Sequence, residues 1–142
     1  MKILILCTGN SCRSQMAHGF LRSFDERIEV ASAGTEASGK LNLKAVEVMK
    51  EIGVDISDHT SDPVEKYLNE SWDYVITVCG GANENCPTFY GNVRHRLHIG
   101  FDDPSHLIGT DEFIRHEFLR VRNEIKAAFL KLYIEEIKPQ LN

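Results

Sequence analysis

Cys7 and Arg13 bracket five small or polar residues, Thr8-Gly9-Asn10-Ser11-Cys12, and Ser14 follows. The apolar run Ile3 to Leu6 precedes them and a helical pattern comes after, so the stretch reads as strand, tight loop and helix N-terminus. Such a loop turns several backbone N–H groups on one point, and the helix dipole adds partial positive charge there. Arg13 brings a planar fork of donors that matches a tetrahedral oxyanion. A cysteine thiol titrates near pH ~8.5 when free and at roughly 3.5–7.5 beside a helix N-terminus or a cation. The thiolate of Cys7 is therefore expected to be favoured, with Ser14 offering a further hydrogen bond. Thr8 to Ser14 form a candidate oxyanion cradle and Cys7 its nucleophile. The plainer readings are a buried cysteine at a strand end, a packing role for Cys12 and an ordinary N-cap at Ser14.

The elements that must position this loop follow from periodicity. Lys2 to Leu6 is a buried strand. Ala17, Phe20, Leu21 and Phe24 fall on one face of a helix from Ser14 to Phe24. Ile28 to Ala31 reads as a second strand, and Ser32-Ala33-Gly34 as a small-residue turn able to pass close to the first loop. Asn42 caps a helix whose inward face is Ala45, Met49 and Ile52, with Gly53 as its stop. Ser61-Asp62-Pro63 opens another helix, to about Asn69. Tyr74 to Val78 is a buried strand that ends at Cys79. Gly80 to Tyr90 is a loop or marginal helix, Val93 to His98 an edge strand, and Gly100-Phe101-Asp102-Asp103-Pro104 an acidic loop. A long helix from about Asp111 to Ile137 closes the chain on Val121, Ile125, Phe129 and Leu132. Strands alternating with helices predict an α/β fold, with a four-stranded parallel sheet flanked by helices in one domain spanning residues 1–142. Ligands of such a sheet bind beyond the carboxyl ends of the strands. Cys7, Cys79 and Asp103 all follow strands, and so should share that rim.

Composition bounds the rest. The chain has 142 residues, 42% hydrophobic and 26% charged, with a net charge of −5. An acidic balance argues against nucleic-acid binding and leaves an anionic substrate to be drawn in by local features. No run is long enough for a membrane span or a signal core, so the cytoplasm is the expected compartment. In that compartment the four cysteines read as catalytic, redox-active or metal-binding rather than structural.

The cysteine–loop–arginine motif, with Asp103-Pro104 late in the chain, resembles that of the low-molecular-weight tyrosine phosphatases. The finer resemblance is to the thioredoxin-coupled arsenate reductases built on that fold. It is carried by Cys7 to Ala17, Ser32-Ala33-Gly34, His59-Thr60-Ser61-Asp62, Cys79 and Cys86-Pro87, and Gly100 to Pro104. Residues alone leave Asp102 and Asp103 as turn formers; the resemblance selects Asp103, directly before proline, as the general acid. It also implies a relay. Cys7 attacks arsenate, Cys79 attacks Cys7 as arsenite leaves, Cys86 attacks Cys79, and thioredoxin reduces the resulting disulfide. The spacing of Cys79 and Cys86 is wrong for a zinc knuckle. If their segment were helical, its rise would hold the two about 10 Å apart, so bridging requires unwinding at Gly80-Gly81. Relatives that hold potassium carry a glutamate where this chain has His18, beside Asn10, Ser32, Thr60 and Asp62. An imidazole in that place weakens cation binding, so no metal or cofactor is expected. A monomer is expected. The competing readings are a phosphatase acting through a Cys7 phospho-intermediate and a non-catalytic thiol sensor.

Overall fold

The computed structural model describes residues 1–141 and contains four strands, β1 (Lys2–Cys7), β2 (Glu29–Gly34), β3 (Trp72–Thr77) and β4 (Val93–His98). They form one sheet in the order β2-β1-β3-β4, and every neighbouring pair is parallel. The helices are α1 (Arg13–Phe24), α2 (Leu43–Lys50), α3 (Gly80–Glu84) and α4 (Asp111–Leu132). The central position of β1 explains its sequence, because Ile3, Leu4, Ile5 and Leu6 are completely buried. Each such side chain contributes about 1.5–3 kcal/mol on leaving water. The helix α1 lies against β1 and β2 and packs on α4, which also meets α2. Its buried residues include Met16, Ala17, Phe20 and Leu21, and α4 contributes Phe118, Val121, Ile125 and Phe129. The four-stranded parallel sheet expected from periodicity is the one present.

Four local expectations are corrected. Ser32-Ala33-Gly34 is not a turn but the end of β2, paired so that Cys7 faces Gly34. Pro63 does not open a helix: it is extended, bridges to Gly34, and only a 3-10 turn, Val64–Tyr67, follows. Pairing of Pro63 alongside Gly34 draws the chain straight where a helical start would curl it. α1 begins one residue early, at Arg13, after Cys12, with no side-chain cap. Ser14 is therefore inside the helix rather than at its cap. Ile52 lies beyond α2 and is 37% exposed, because that helix stops at Lys50. Asn42 does cap α2, its Oδ1 accepting from the N–H groups of Lys44 and Ala45. At the other end of the chain α4 runs to Leu132 and continues through one π-helical turn, Tyr133–Ile137.

The approach of β2 to the first loop is close. A Cβ at Gly34 would overlap the carbonyl oxygen of Thr8 and crowd Ala37 and Asn10. Backbone cannot give way there without moving the loop. Gly34→Ala is expected to lose about 1–3 kcal/mol, as for an overpacked site, read from the midpoint of chemical denaturation; a variant as stable as the parent would show that the loop tolerates displacement.

Candidate active site

The loop after β1 is held from outside by its carbonyl groups. The N–H of Thr35 donates to Cys7 O (3.1 Å), Glu36 to Thr8 O (2.9 Å), Ser38 to Gly9 O (2.9 Å) and Asn42 to Ser11 O (2.9 Å). With the carbonyls bound outward, the loop N–H groups are left to the cavity that residues 7–13 line. Asn10 makes the reversal possible. It is the only non-glycine at positive φ among the described residues (51°), a conformation asparagine tolerates better than most. It is fully buried, and its side chain is tied at both ends. Oδ1 accepts from the Asp62 N–H (3.0 Å) and Nδ2 donates to Ser14 Oγ (2.8 Å). Its carbonyl accepts from Gln15 Nε2 (3.0 Å).

The resulting cavity is about 490 Å³ and is lined by Cys7 to Arg13 together with Asp103, Ser105 and His106. Thr8, Gly9, Asn10, Ser11 and Cys12 thus meet Cys7, Arg13 and Asp103 as the sequence anticipates. Ser14 does not join them, being buried against Asn10. Ser38 and Asn42 are further lining residues that sequence reasoning missed. Their only signal is polarity after a strand that ends beside the loop.

Arg13 is fixed at the cavity wall, where Nη1 donates to Phe101 O (3.0 Å) and Nη2 lies 3.4 Å from Asp103 Oδ2. Asp103 also accepts from the N–H and hydroxyl of Ser105. Burial works to raise its pKa, but the Ser105 hydrogen bonds and the charges of Arg13 and His106 bring the carboxyl below its ordinary value. Without an anion, Asp103 is an ionised partner of Arg13. Negative charge placed beside that carboxylate, or loss of its guanidinium partner, would favour the protonated acid. Asp102 points elsewhere and pairs with Arg120 of α4 at 3.1 Å, which separates the two adjacent carboxylates.

Cys79, at the end of the chain segment following β3, is held beside the loop. Its sulfur lies 3.3 Å from Thr8 Oγ1 and accepts from the Ala82 N–H at 3.4 Å. A Cβ at Gly81 would come within 2.7 Å of Thr8 Oγ1, so the absent side chain is what lets the hydroxyl in. The electrostatics of the two sulfurs are linked. The hydrogen bond to Cys79 and burial push the Cys7 thiol up, against the pull of Arg13 and the Thr8 N–H. The Cys7 hydrogen bond pulls Cys79 well below the usual thiol range, and Thr8, Ala82 and Arg13 add to this against the opposing effect of burial. The shared hydrogen bond thus disfavours the charged form of Cys7 and favours that of Cys79, on which Cys7, Thr8 and Ala82 converge as donors. Cys12 is buried and pushed up to about 12, by burial first and then by Asp103; it is a packing thiol. Cys86 is not at this cavity. It lines a second one with Asn83, Arg96 and His98.

His18 forms a hydrogen-bonded pair with Ser32 Oγ (2.9 Å) and stacks on His59 with ring centroids 4.1 Å apart. The Nδ1 of His59 meets Gln15 Oε1 at 2.9 Å, while its buried Nε2 has no partner. Gln15 also binds Thr60 O, so the histidine pair supports the same residues that hold Asn10. Burial lowers the pKa of His18 to about 3, helped by His59 and Arg22. Burial also lowers His59.

The family model of low molecular weight phosphotyrosine protein phosphatases matches residues 2–142. An arsenate reductase of Halalkalibacterium halodurans is 50% identical over 124 residues, 87% of this chain and 88% of the relative. An arsenate reductase solved in its phosphate-binding state superposes with a TM-score of 0.78 at 33% identity, covering 94% of this chain and 97% of the other. A thioredoxin-dependent arsenate reductase of Corynebacterium glutamicum gives 0.71 at 28% identity, covering 98% of this chain and 62% of that one.

The histidine pair yields a pH dependence. Unfolding frees His18 to bind a proton near its ordinary pKa of 6.5, whereas the folded site resists one. The unfolded state therefore binds more protons below pH ~6.5, and stability falls as the pH drops. From pH 7 to pH 5 the loss from this residue is up to about 2 kcal/mol, measured by denaturant titration. His18→Gln should flatten the slope; an unchanged slope would place the protonation elsewhere.

Proposed function

Since this chain belongs to the low-molecular-weight phosphotyrosine protein phosphatase family, we propose that it is a member that reduces arsenate to arsenite through Cys7, Cys79 and Cys86. The observation that carries the reading is the second sulfur. A phosphatase needs one nucleophile in its loop, but here Thr8, the residue after the nucleophile, and the Ala82 N–H hold a second sulfur, Cys79, beside that loop. The relatives at about half identity are arsenate reductases, which supports the same conclusion.

Arsenate enters the loop, where the N–H groups and Arg13 share its charge. The Cys7 sulfur attacks arsenic, an S–As bond forms, and one oxygen leaves as water. The thiol proton of Cys7 departs with that water, relayed by Asp103 as the anion raises its proton affinity. The Cys79 thiolate then attacks the Cys7 sulfur. An S–S bond forms and the S–As bond breaks, its electron pair passing to arsenic, so As(V) becomes As(III) while two thiols become a disulfide. Arsenite takes its protons from water. Cys86 attacks the Cys79 sulfur next, which makes the Cys79–Cys86 disulfide and releases Cys7. A dithiol of the thioredoxin class is the external reductant proposed, in line with the thioredoxin-dependent relative. The electrons come from thiols throughout, so the reading calls for no metal or cofactor. His18, at the position where the resemblance puts a cation-binding glutamate, is engaged by Ser32 and His59 instead. One chain supplies every residue, so a monomer suffices, and a reducing cytoplasm is the compartment that keeps these thiols ready. No helix among the described residues is long and apolar enough to cross a membrane.

The same cavity accepts phosphate, so slow hydrolysis of phosphate monoesters belongs to the reading. The deciding measurement is arsenate-dependent NADPH oxidation with thioredoxin and its reductase, run beside an aryl phosphate control. Arsenate turnover far above ester hydrolysis is expected; the reverse ranking would make the protein a phosphatase. Cys7→Ser should abolish turnover with the fold intact. Asp103→Asn should reduce turnover by about 10²–10⁴-fold, the usual worth of a positioned acid. Cys86→Ser should stop after one turnover with a Cys7–Cys79 disulfide detectable by mass spectrometry, and a free Cys79 in that variant would refute the relay.

A further inference from the structure

Cys86 lies on the wall of its own cavity, about 300 Å³, shared with Val75, Thr77, Asn83, Arg96 and His98. The sheet register explains this wall. Arg96 pairs alongside Val75 and His98 alongside Thr77, so alternate residues of β4 and β3 face the same side. Arg96 is steadied there, its guanidinium carbon 5.6 Å from the centre of the buried Phe89 ring, a cation–π arrangement. That ring belongs to the segment just after Cys86, so edge strand and cysteine segment are joined by this contact.

We propose that Arg96 is a positioning residue for the last internal step, presenting a cation to the Cys86 sulfur so that it leaves its cavity as a thiolate. The proposal rests on the relay reading above. In that step Cys86–S⁻ attacks the Cys79 sulfur of the Cys7–Cys79 disulfide, one S–S bond forms, one breaks, and Cys7 leaves as the thiolate. Arg96 exchanges no atom or electron. Burial pushes the Cys86 thiol up, and the charge and hydrogen bond of Arg96 oppose it. No comparable help comes from the other groups on that wall. His98 is tied through Nδ1 to Thr77 Oγ1 at 2.8 Å, and Asn83 and Thr77 are uncharged. Cys79 has three donors; Cys86 has Arg96 and otherwise gives its own proton to Pro87 O at 3.7 Å. A thiol that titrates above the ambient pH gains more in thiolate fraction than it loses in nucleophilicity when its pKa falls.

The test is the pH profile of Cys86 alkylation by iodoacetamide, resolved site by site by mass spectrometry on the full reduced chain. An opposite charge within about 4–6 Å is worth one or more pH units. Arg96→Gln should move the Cys86 midpoint up by about one unit and leave the Cys79 profile in place, and Arg96→Lys should recover most of the shift. In single turnovers the Cys7–Cys79 disulfide of Arg96→Gln should persist about threefold longer at pH 7, since a tenfold loss of thiolate is partly offset by a stronger nucleophile. Raising the pH should restore the rate, which a merely structural lesion would not allow. An unshifted Cys86 profile with the fold intact overturns the pairing of Arg96 with Cys86. An Arg96-dependent profile without any arsenate reduction overturns the relay and this step with it, and leaves the charge pairing standing.

Discussion

The loop after β1 can gather its N–H groups inward only because its carbonyl groups are satisfied from outside. Residues 35, 36, 38 and 42 donate to carbonyls 7, 8, 9 and 11 in turn. A buried carbonyl without a partner costs about as much as a lost hydrogen bond, so the loop could not hold this shape on its own. Gly34 admits the close approach, and Asn10 supplies the one left-handed residue that the reversal needs. Asn10 in turn depends on Asp62, Ser14 and Gln15. The anion cradle is therefore built by three separated segments of chain, and changes far from Cys7 in sequence will be felt at its sulfur.

The charges of the resting site are arranged for an occupant. The chain carries a net charge of −5, and Arg13 with the loop N–H groups must attract an anion against that background. Arg13 is paired with Asp103, and the hydrogen bond between Cys7 and Cys79 opposes the charge of the first sulfur while favouring that of the second. In the proposed reaction an oxyanion replaces Asp103 as the partner of Arg13, and its negative charge favours the protonated carboxyl. The two sulfurs proposed to attack and to resolve are distinguished by their surroundings, since Cys79 receives hydrogen bonds from Cys7, Thr8 and Ala82.

Much of this was legible in the chain. The runs Lys2 to Leu6 and Tyr74 to Val78 mark the central strands because a strand buried on both faces must be continuously apolar. The Asn42 cap and the edge strand Val93–His98 follow from local rules that tertiary packing leaves alone. The errors fall where a distant segment overrules a local signal. Pro63 has the sequence of a helix start, but its bridge to Gly34 straightens it. Ser14 has the chemistry of an N-cap, but Asn10 takes its hydroxyl into the helix interior. The effect of Cys79 on the Cys7 thiol is hidden for the same reason, because the helix N-terminus is visible in sequence and a sulfur seventy-two residues away is not.

By itself the sequence determined which chemical groups are present: a cysteine and an arginine around a loop suited to a tetrahedral anion, a carboxylate before proline, and two further thiols. Spacing along the chain is enough for that, since strand, loop and helix start are set by neighbouring residues. Tertiary structure alone decided which groups act on one another. It placed Cys79 against Thr8 and Cys7, turned Asp103 to Arg13 while Asp102 went to Arg120, and left Cys86 in a separate cavity beside Arg96. Proton positions follow those contacts, because a thiol's charge depends on donors within a few ångströms, and in a parallel sheet those donors come from loops that the sequence keeps far apart.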